Sequence, residues 1–192
     1  MPAEITDKFA IGTKCVIVSD CDLRGDITIG SGTVLQPRCT ILALSGPIIL
    51  GENNILEENV VIVNRLKQPL IIGDSNLFQV GSRIESPKIG SFNNFGIRSR
   101  ISPHVQVQDN VTVGAGCIVL PSPFPDPEGE HEEVESIGTV ETLKTFTTVF
   151  GSDNRRRFND SKEGVVQDRA LFVKHIEYLR ETLPRFFKLK MF

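Results

Sequence analysis

The chain has 192 residues, a formal net charge of -3 and 40% hydrophobic residues. This length is enough for one domain with its own core, and the slightly acidic balance excludes a bulk basic surface for nucleic acid. No apolar run is long enough to cross a membrane, and residues 1–8 lack the charged and then apolar pattern of a signal peptide. We therefore expect a cytoplasmic protein with no nucleic-acid partner and no membrane insertion.

An apolar residue returns at every sixth position through most of the chain up to residue 119. Neither a helix, with a period near 3.6, nor a half-buried strand, with a period of about 2, produces this spacing. A six-residue repeat with a small residue after the apolar anchor is typical of a hexapeptide β-helix, in which three repeats make one triangular coil. The eighteen anchors, which predict six coils, are Ile11, Ile17, Leu23, Ile29, Leu35, Ile41, Leu50, Leu56, Ile62, Ile72, Phe78, Ile84, Ile89, Phe95, Ile101, Val107, Val113 and Val119.

Three short interruptions separate the runs of anchors. Residues 44–49 contain a Gly-Pro turn signal, and a one-residue deletion falls close to residue 87. Between these two, residues 64–69 form a basic excursion with Arg65 and Lys67. We regard these two basic residues as a possible interface.

The segments that begin at Leu50, Ile72 and Ile89 share a glycine directly after the anchor and an asparagine four positions after it. We expect the three segments to stack on one another in neighbouring coils. Glycine permits a positive φ, and asparagine tolerates the left-handed region better than most residues. Stacked asparagine side chains can also form hydrogen bonds along the solenoid.

Residues 121–136 break the repeat, first with prolines and then with acidic residues. Such a composition cannot bury apolar area, so we predict an inserted mobile loop. The repeat returns at Ile137, Leu143 and Val149, which predicts a seventh coil. We therefore assign residues 1–153 to the β-helix.

Residues 154–164 are polar and contain Arg155, Arg156 and Arg157. We predict a linker here, because a basic triplet is usually a solvated turn or a contact for an acidic partner. From residue 165 onward the apolar period becomes helical. The helix and the tail that follows it occupy residues 165–192.

The predicted helix carries one apolar face, which we expect to pack on a flat side of the prism. The residues of this face are Val165, Phe172, Ile176, Leu179 and Leu183. Asp160 or Ser161 is expected to cap the start, and Pro184 is expected to end the helix near Leu183. In the tail, Arg185, Phe186 and Phe187 form a second possible interface, which either packs on the same side or anchors a partner.

The four cysteines show no CxxC spacing, which argues against a zinc knuckle or a redox motif. They are Cys15, Cys21, Cys39 and Cys117, and each lies four positions after an anchor. That position is an inward slot of the repeat, where a small apolar residue belongs. We therefore predict core packing for all four.

The three histidines, His104, His131 and His175, have no metal-ligand spacing. A catalytic zinc needs several protein ligands, and an acyltransferase of this fold needs a histidine base. Only His104 lies in a coil, where we expect it to point outward at a corner. We therefore predict no catalytic residue, no cofactor and no metal.

Residues 23–30, followed by Gln36, resemble the γ-class carbonic anhydrases within the hexapeptide-repeat proteins. This resemblance implies that Arg24 and Asp26 support a subunit interface and that Gln36 lies near the metal. From the residues themselves, we expect Arg24 and Asp26 to form an intrachain or interface ion pair. The zinc-binding histidines of that family have no counterparts at ligand spacing in this sequence.

Residues 24–30, 46–58 and 71–81 are similar to the dynactin subunit 6 family, a β-helical subunit at the pointed end of dynactin, and so is the tail. The resemblance extends over about residues 11–190. It implies a left-handed β-helix and a non-enzymatic scaffold associated with the cytoskeleton in dynein-based microtubule transport. The implied partners are a sister β-helical subunit similar to dynactin subunit 5, the actin-related protein at the pointed end of the filament, and dynein adaptors or cargo.

Two enzyme hypotheses remain beside the scaffold. An enzyme like the γ-class anhydrases predicts bound zinc and hydration of carbon dioxide. A hexapeptide acyltransferase predicts acyl-CoA binding and loss of activity in His104→Ala. The scaffold hypothesis predicts neither of these, and instead a stable one-to-one complex with a sister subunit.

Overall fold

The computed structural model describes residues 6–122, 131–134, 138–159 and 164–192. The first nine strands are β1 (Lys8–Ile11), β2 (Val16–Ile17), β3 (Asp22–Arg24), β4 (Asp26–Ile29), β5 (Val34–Leu35), β6 (Thr40–Ala43), β7 (Ile48–Leu50), β8 (Ile55–Leu56) and β9 (Val61–Asn64). The next nine are β10 (Leu70–Ile72), β11 (Leu77–Phe78), β12 (Arg83–Ile84), β13 (Lys88–Ile89), β14 (Asn94–Phe95), β15 (Arg100–Ile101), β16 (Val105–Val107), β17 (Thr112–Val113) and β18 (Ile118–Val119). The chain then forms β19 (His131–Val134), β20 (Gly138–Leu143), β21 (Thr147–Phe150), β22 (Arg155–Phe158) and the helix α1 (Val165–Phe186).

Three parallel sheets form the walls of a β-helix. Wall A has the order β1-β4-β7-β10-β13-β16-β20, wall B the order β2-β5-β8-β11-β14-β17-β21, and wall C the order β3-β6-β9-β12-β15-β18. Consecutive strands lie in different walls, so three strands make one coil. In the described residues there are six complete coils and a seventh with strands in walls A and B. This confirms a parallel β-helix of hexapeptide repeats, while its left-handedness stays a prediction from the resemblance.

The anchors of the repeat form the core. Seventeen of the eighteen are at most 5% exposed, and Ile11 in the first coil is partly buried. Two of them, Phe78 and Phe95, stack with their ring centroids 4.9 Å apart. The seventh coil is confirmed as well, since Leu143 pairs with Val107, and the anchor Val149 also joins the core. The core is therefore one column of apolar side chains along the axis.

The predicted stacking of asparagines is present and buried. Leu50, Ile72 and Ile89 occupy one register position in wall A, and Asn54, Asn76 and Asn93 are each at most 2% exposed. The Asn76 side-chain amide donates to Asn54 Oδ1 (3.0 Å), and the backbone N–H of Asn93 donates to Asn76 Oδ1 (2.9 Å). These bonds satisfy polar groups that would otherwise be buried unpaired.

The conformational reason that we expected for these residues was wrong. The positive φ falls one position before each asparagine, at Asn53, Ser75 and Phe92. The glycines after the anchors are instead required by close approach of neighbouring coils. A Cβ on Gly30 would lie 2.4 Å from the Gly51 carbonyl, a distance that no side chain tolerates.

Two segments that we predicted to be irregular contain strands. Within the predicted loop, β19 pairs antiparallel with β20, and within the predicted linker, β22 pairs antiparallel with β21. Residues 123–130, 135–137 and 160–163 lie outside the described part of the chain. All four residues of β22 are exposed, and a strand exposed on both faces carries no apolar alternation that could predict it.

Helix α1 packs on wall B, as predicted. Its buried residues Ile176, Leu179 and Leu183 form a second apolar cluster with Val16, Val34 and Ile55 of the wall. At a corner of the prism, Arg180 Nε donates to the Gly32 carbonyl (2.9 Å) and Nη2 donates to Asn53 Oδ1 (2.5 Å). Within the described residues, no helix is long and apolar enough to cross a membrane.

The predicted ends of α1 require correction. The residue before the helix is Gly164, with φ 87° and no side-chain cap, while Asp160 and Ser161 lie outside the described residues. The helix also continues through Pro184 to Phe186. Proline disrupts the hydrogen bond to the residue four positions before it, but in the last turn little of the helix remains to be disrupted.

We expect Asn76→Ala to lower the free energy of unfolding by about 2–4 kcal/mol, because it leaves the buried backbone N–H of Asn93 without its acceptor. The matched control is Asn94→Ala, which removes a half-buried amide beside the ladder and should cost less than about 1 kcal/mol. Urea unfolding measures both. Equal losses in the two variants would contradict a structural role for the ladder.

Candidate interaction site at the first coil

The C-terminal tail, residues 187–192, crosses the end of the prism at the first coil. The backbone N–H of Ser19 donates to the Lys188 carbonyl, and that of Lys190 donates to the Ile17 carbonyl, both at 2.8 Å. Val18 and Leu189 form the antiparallel bridge between these two bonds. The tail therefore adds a short strand to the free edge of β2.

Two further contacts attach the tail to the other walls. Lys190 Nζ donates to the Cys21 carbonyl (2.6 Å), directly before β3 in wall C. Phe192 contacts Phe9 of wall A edge to face, with ring centroids 5.7 Å apart. Residues from the end of the sequence thus reach all three walls of the first coil.

The tail also exposes apolar surface. Met191 is 91% exposed, and Phe187 and Phe192 are exposed as well; next to the tail, Phe186 at the end of α1 is 76% exposed. Of the two sequence hypotheses for this segment, packing on the prism applies to Leu189, whereas Phe186 and Phe187 stay available to a partner. Exposed aromatic residues among basic ones are frequent in protein interfaces.

The residues that we predicted as a possible interface fall into two places. Arg24 and Asp26 lie near the first coil but do not pair with each other. Arg24 Nε instead bonds Asp22 Oδ1 (3.0 Å), and Lys8 Nζ lies 3.8 Å from Asp26 Oδ2. Asp26 lies opposite Lys8 in the register of β1 and β4, so the negative charge of Asp26 faces a positive charge of the same wall.

The basic excursion lies on wall C and is held in place by a buried residue. The Asn64 side-chain amide donates to the carbonyls of Pro47 (3.0 Å) and Gln68 (2.9 Å). Arg65 Nε lies 3.5 Å from Glu85 Oε2 and is mostly exposed. Arg65 and Lys67 therefore form a separate surface, away from Arg185, Phe186 and Phe187.

The cysteines are free thiols in the core, and only Cys15 is partly exposed. Burial raises the pKa of Cys15 and of Cys117. A hydrogen bond between the thiols of Cys21 and Cys39 raises the pKa of Cys39, to which burial adds, and lowers the pKa of Cys21. The expected role in packing agrees with this burial.

The histidines lie on three different elements. His104 is half-buried at a corner before β16, His131 belongs to β19, and His175 belongs to α1. Among the described residues, no three His, Cys, Asp or Glu side chains are grouped as metal ligands would be. The side-chain amide of Gln36 faces the Glu58 carboxylate.

Sequence reasoning missed a cleft between the N-terminal half of α1 and wall B. Its volume is about 620 Å³. Arg169 lies over the ring of Phe92, 4.0 Å from the centroid, and Nη2 donates to Asn110 Oδ1 (3.3 Å). Only the docked position of the helix brings these residues together, so no local spacing could have indicated the cleft.

The sequence is similar to proteins that carry the same name in different organisms. Dynactin subunit 6 of Dictyostelium discoideum is 46% identical over 179 residues, which cover 92% of this chain and 85% of that protein. Dynactin subunit 6 of Nematostella vectensis is 29% identical over 194 residues, covering 95% of this chain and 92% of that protein. No family model matches the sequence.

Among solved structures, a hexapeptide transferase family protein from Anaplasma phagocytophilum has a TM-score of 0.73. The superposition covers 94% of this chain and 95% of the Anaplasma chain, and the two sequences are 13% identical. At this level of identity the likeness supports the β-helical fold and carries nothing about activity.

We expect Leu189→Ser to release the tail and to lower the free energy of unfolding by about 1–3 kcal/mol, because Leu189 packs in the apolar cluster under α1. Met191→Ser is the matched control in the same tail, since Met191 is 91% exposed, and should change stability by less than about 0.5 kcal/mol. Urea unfolding and hydrogen exchange at Ser19 test both. A stable Leu189→Ser variant with a protected Ser19 amide would contradict this role of the tail.

Proposed function

Because the chain belongs to the dynactin subunit 6 family, we propose that it is a non-enzymatic scaffold subunit of dynactin in the cytoplasm. In this role it occupies the pointed-end complex and supports dynein-based transport along microtubules. Its partners are a sister β-helical subunit, the actin-related protein at the pointed end, and dynein adaptors or cargo.

The observation that carries this proposal is the 46% identity to a dynactin subunit 6 over 92% of the chain. An alignment of 179 residues extends over the coils and into the C-terminal helix, and 46% identity exceeds what the periodic anchors of a hexapeptide β-helix alone would supply. The architecture also suits a scaffold, because a solenoid offers long faces for several partners at once.

The last residues of α1 and the tail together form the first surface that we assign to a partner. Phe186 and Phe187 stand beside Arg185 at the first-coil end, and Met191 adds a further exposed apolar side chain. An aromatic pair among basic residues suits a partner surface with an apolar centre and an acidic rim. Arg24 belongs to the same end, whereas Arg65 and Lys67 are proposed to contact a different partner on wall C.

The enzyme hypotheses receive less support from the arrangement of side chains. A zinc-bound hydroxide needs several ligands around one ion, and no such group of His, Cys, Asp or Glu is found among the described residues. An acyltransferase needs a base within reach of a bound acceptor, and His104, the one histidine within a coil, is half-buried at a corner before β16.

The test is affinity purification of the tagged full chain from native cytosol. We expect dynactin subunits in stoichiometric amounts, a sister β-helical subunit at one-to-one ratio, and neither bound zinc nor acyl-CoA binding. Mass spectrometry, metal analysis and calorimetry with acetyl-CoA give the three readouts. Stoichiometric zinc with carbon dioxide hydration, or acetyl transfer that is lost in His104→Ala, would refute the scaffold proposal.

A double substitution tests the surface separately. Phe186→Ser with Phe187→Ser should reduce recovery of a partner subunit at least about tenfold, because exposed aromatic residues dominate many interfaces. The control is Tyr178→Ser, which removes a 62% exposed aromatic side chain from the outer face of α1. Equal recovery of every subunit by the double variant and the control would show that the tail is not an interface.

A further inference from the structure

A β-helix has free strand edges at both ends, and most of these edges are covered by the chain itself. At the seventh-coil end, β19 covers the edge of wall A and β22 covers the edge of wall B. In wall C, Ile118 N–H donates to Asn154 Oδ1 (2.9 Å), and the Leu120 carbonyl accepts from Arg156 Nη2 (2.8 Å). Such coverage prevents uncontrolled strand pairing.

At the first-coil end the described residues cover the strand edges only in part. The tail pairs with β2 in wall B, and Lys190 Nζ reaches the Cys21 carbonyl at the start of wall C. The N–H groups of Lys8 and Gly12 bond to the second coil, so the alternation of a strand directs those of Phe9 and Ile11 to the free side. Within the described residues, β1 has no hydrogen bond on its free side.

The side chains of β1 show the same lack of coverage. Phe9 and Ile11 point toward the axis and pack on the core, yet both are only partly buried. At the opposite end, the inward residues Leu143 and Val149 are at most 2% exposed. Among the residues that the structure describes, the apolar column is thus closed at the seventh coil and open beneath wall A of the first coil.

We propose that the free edge of β1 is a binding site for an extended segment of a partner protein. The segment pairs with β1 and so adds one more strand to wall A, in either the parallel or the antiparallel direction. The tail already supplies the corresponding strand in wall B, and the ring of Phe192 packs edge to face against Phe9 beside this site. A single extended segment therefore fits beneath β1, whereas a complete additional coil would overlap the tail.

The chain itself indicates which side chains β1 accepts. On its paired side, β4 sets Asp26 opposite Lys8, Ile27 opposite Phe9 and Ile29 opposite Ile11. Lys8 nevertheless stays 78% exposed, and Lys14, Lys188 and Lys190 add positive charge around this end. We therefore infer a segment with two apolar residues in alternate positions and an acidic residue beside Lys8.

A second copy of the chain fits this edge poorly. Two-fold antiparallel pairing of β1 with itself, centred on Ala10, sets Phe9 of each copy opposite Ile11 of the other. It also sets Lys8 opposite Gly12 and on the same face as Lys14 of the other copy, so positive charges meet and no acidic residue faces Lys8. The occupant is accordingly a different protein. Its identity as a neighbouring dynactin subunit rests on the proposed function, whereas the availability of the edge does not.

The first experiment uses the isolated full chain and a synthetic peptide, acetyl-Gly-Asp-Ile-Thr-Ile-Gly-amide, which copies the strand that pairs with β1 on its other side. Amide exchange by NMR should slow at Phe9 and Ile11 by at least about fivefold, with little change at Lys8 and Ala10. This alternation is specific to strand addition, since general burial would slow all four amides. A peptide with serine in place of both isoleucines should have no effect.

The second experiment follows the same amides in the complex purified with the tagged chain. Alternating protection at Phe9 and Ile11 supports the proposal, and a complex that forms without it overturns the proposal while leaving the proposed function intact. Absence of any dynactin subunit refutes the proposed function, and the peptide experiment alone then decides whether the edge binds a strand.

A matched pair of variants excludes indirect effects. Phe9→Glu should abolish peptide protection, and Tyr178→Glu, on the exposed face of α1, should leave it unchanged. Protection of Phe9 and Ile11 in the free chain that is lost on deletion of residues 1–5 would show that the chain covers its own edge, and would overturn the proposal.

Discussion

A coil of this β-helix cannot satisfy its own backbone. Its strands donate and accept only along the axis, as in the bond from Gly30 N–H to the Leu50 carbonyl of the next coil (2.8 Å). Its inward side chains likewise find apolar neighbours only in the coils above and below. Each coil is therefore stable only inside a stack. Unpaired backbone groups and exposed apolar side chains remain at the two ends of the stack. The chain covers part of these ends itself, with the antiparallel strands β19 and β22 at one end and the C-terminal tail at the other.

The same dependence on the next coil explains the polar column along one corner. Thr33 Oγ1 donates to the Gly51 carbonyl (3.1 Å), the Asn54 amide to the Gly73 carbonyl (2.9 Å) and the Asn76 amide to the Gly90 carbonyl (3.0 Å). At Asn93 the column ends, because Val111 follows in the next coil, and the buried Asn93 amide nitrogen finds no hydrogen-bond partner among the described residues. A buried side-chain amide is favourable here only where the next coil supplies a hydrogen-bond partner at the same position. The column therefore couples the register of one coil to that of the next.

The sequence predicted what repeats. Anchors such as Phe78 and Phe95, the stacked asparagines and the apolar face of α1 all follow from a period that persists over many residues, and all lie where expected. It did not predict β22, whose residues are all exposed, because a strand that covers an edge needs a backbone and no apolar pattern. Nor did it pair Leu189 with Val18 or Arg169 with Phe92, since such contacts between distant segments appear only when α1 docks. The contact of Asp26 with Lys8 was missed because register, not proximity in sequence, brings the two residues together. Arg24 instead pairs with Asp22, two residues before it in β3.

The length of α1 connects the two ends of the molecule. Its 22 residues span about 33 Å at 1.5 Å per residue, and seven coils spaced about 4.8 Å apart span nearly the same height. For this reason Arg169 reaches the sixth coil at Asn110, and Leu189, just past the helix, reaches the first coil at Val18. Each added coil would need about three more helical residues for the tail to keep its place on β2. The number of coils and the length of the helix are therefore not independent, and a mismatch would uncover the edge of wall B next to the edge of β1 that is already free.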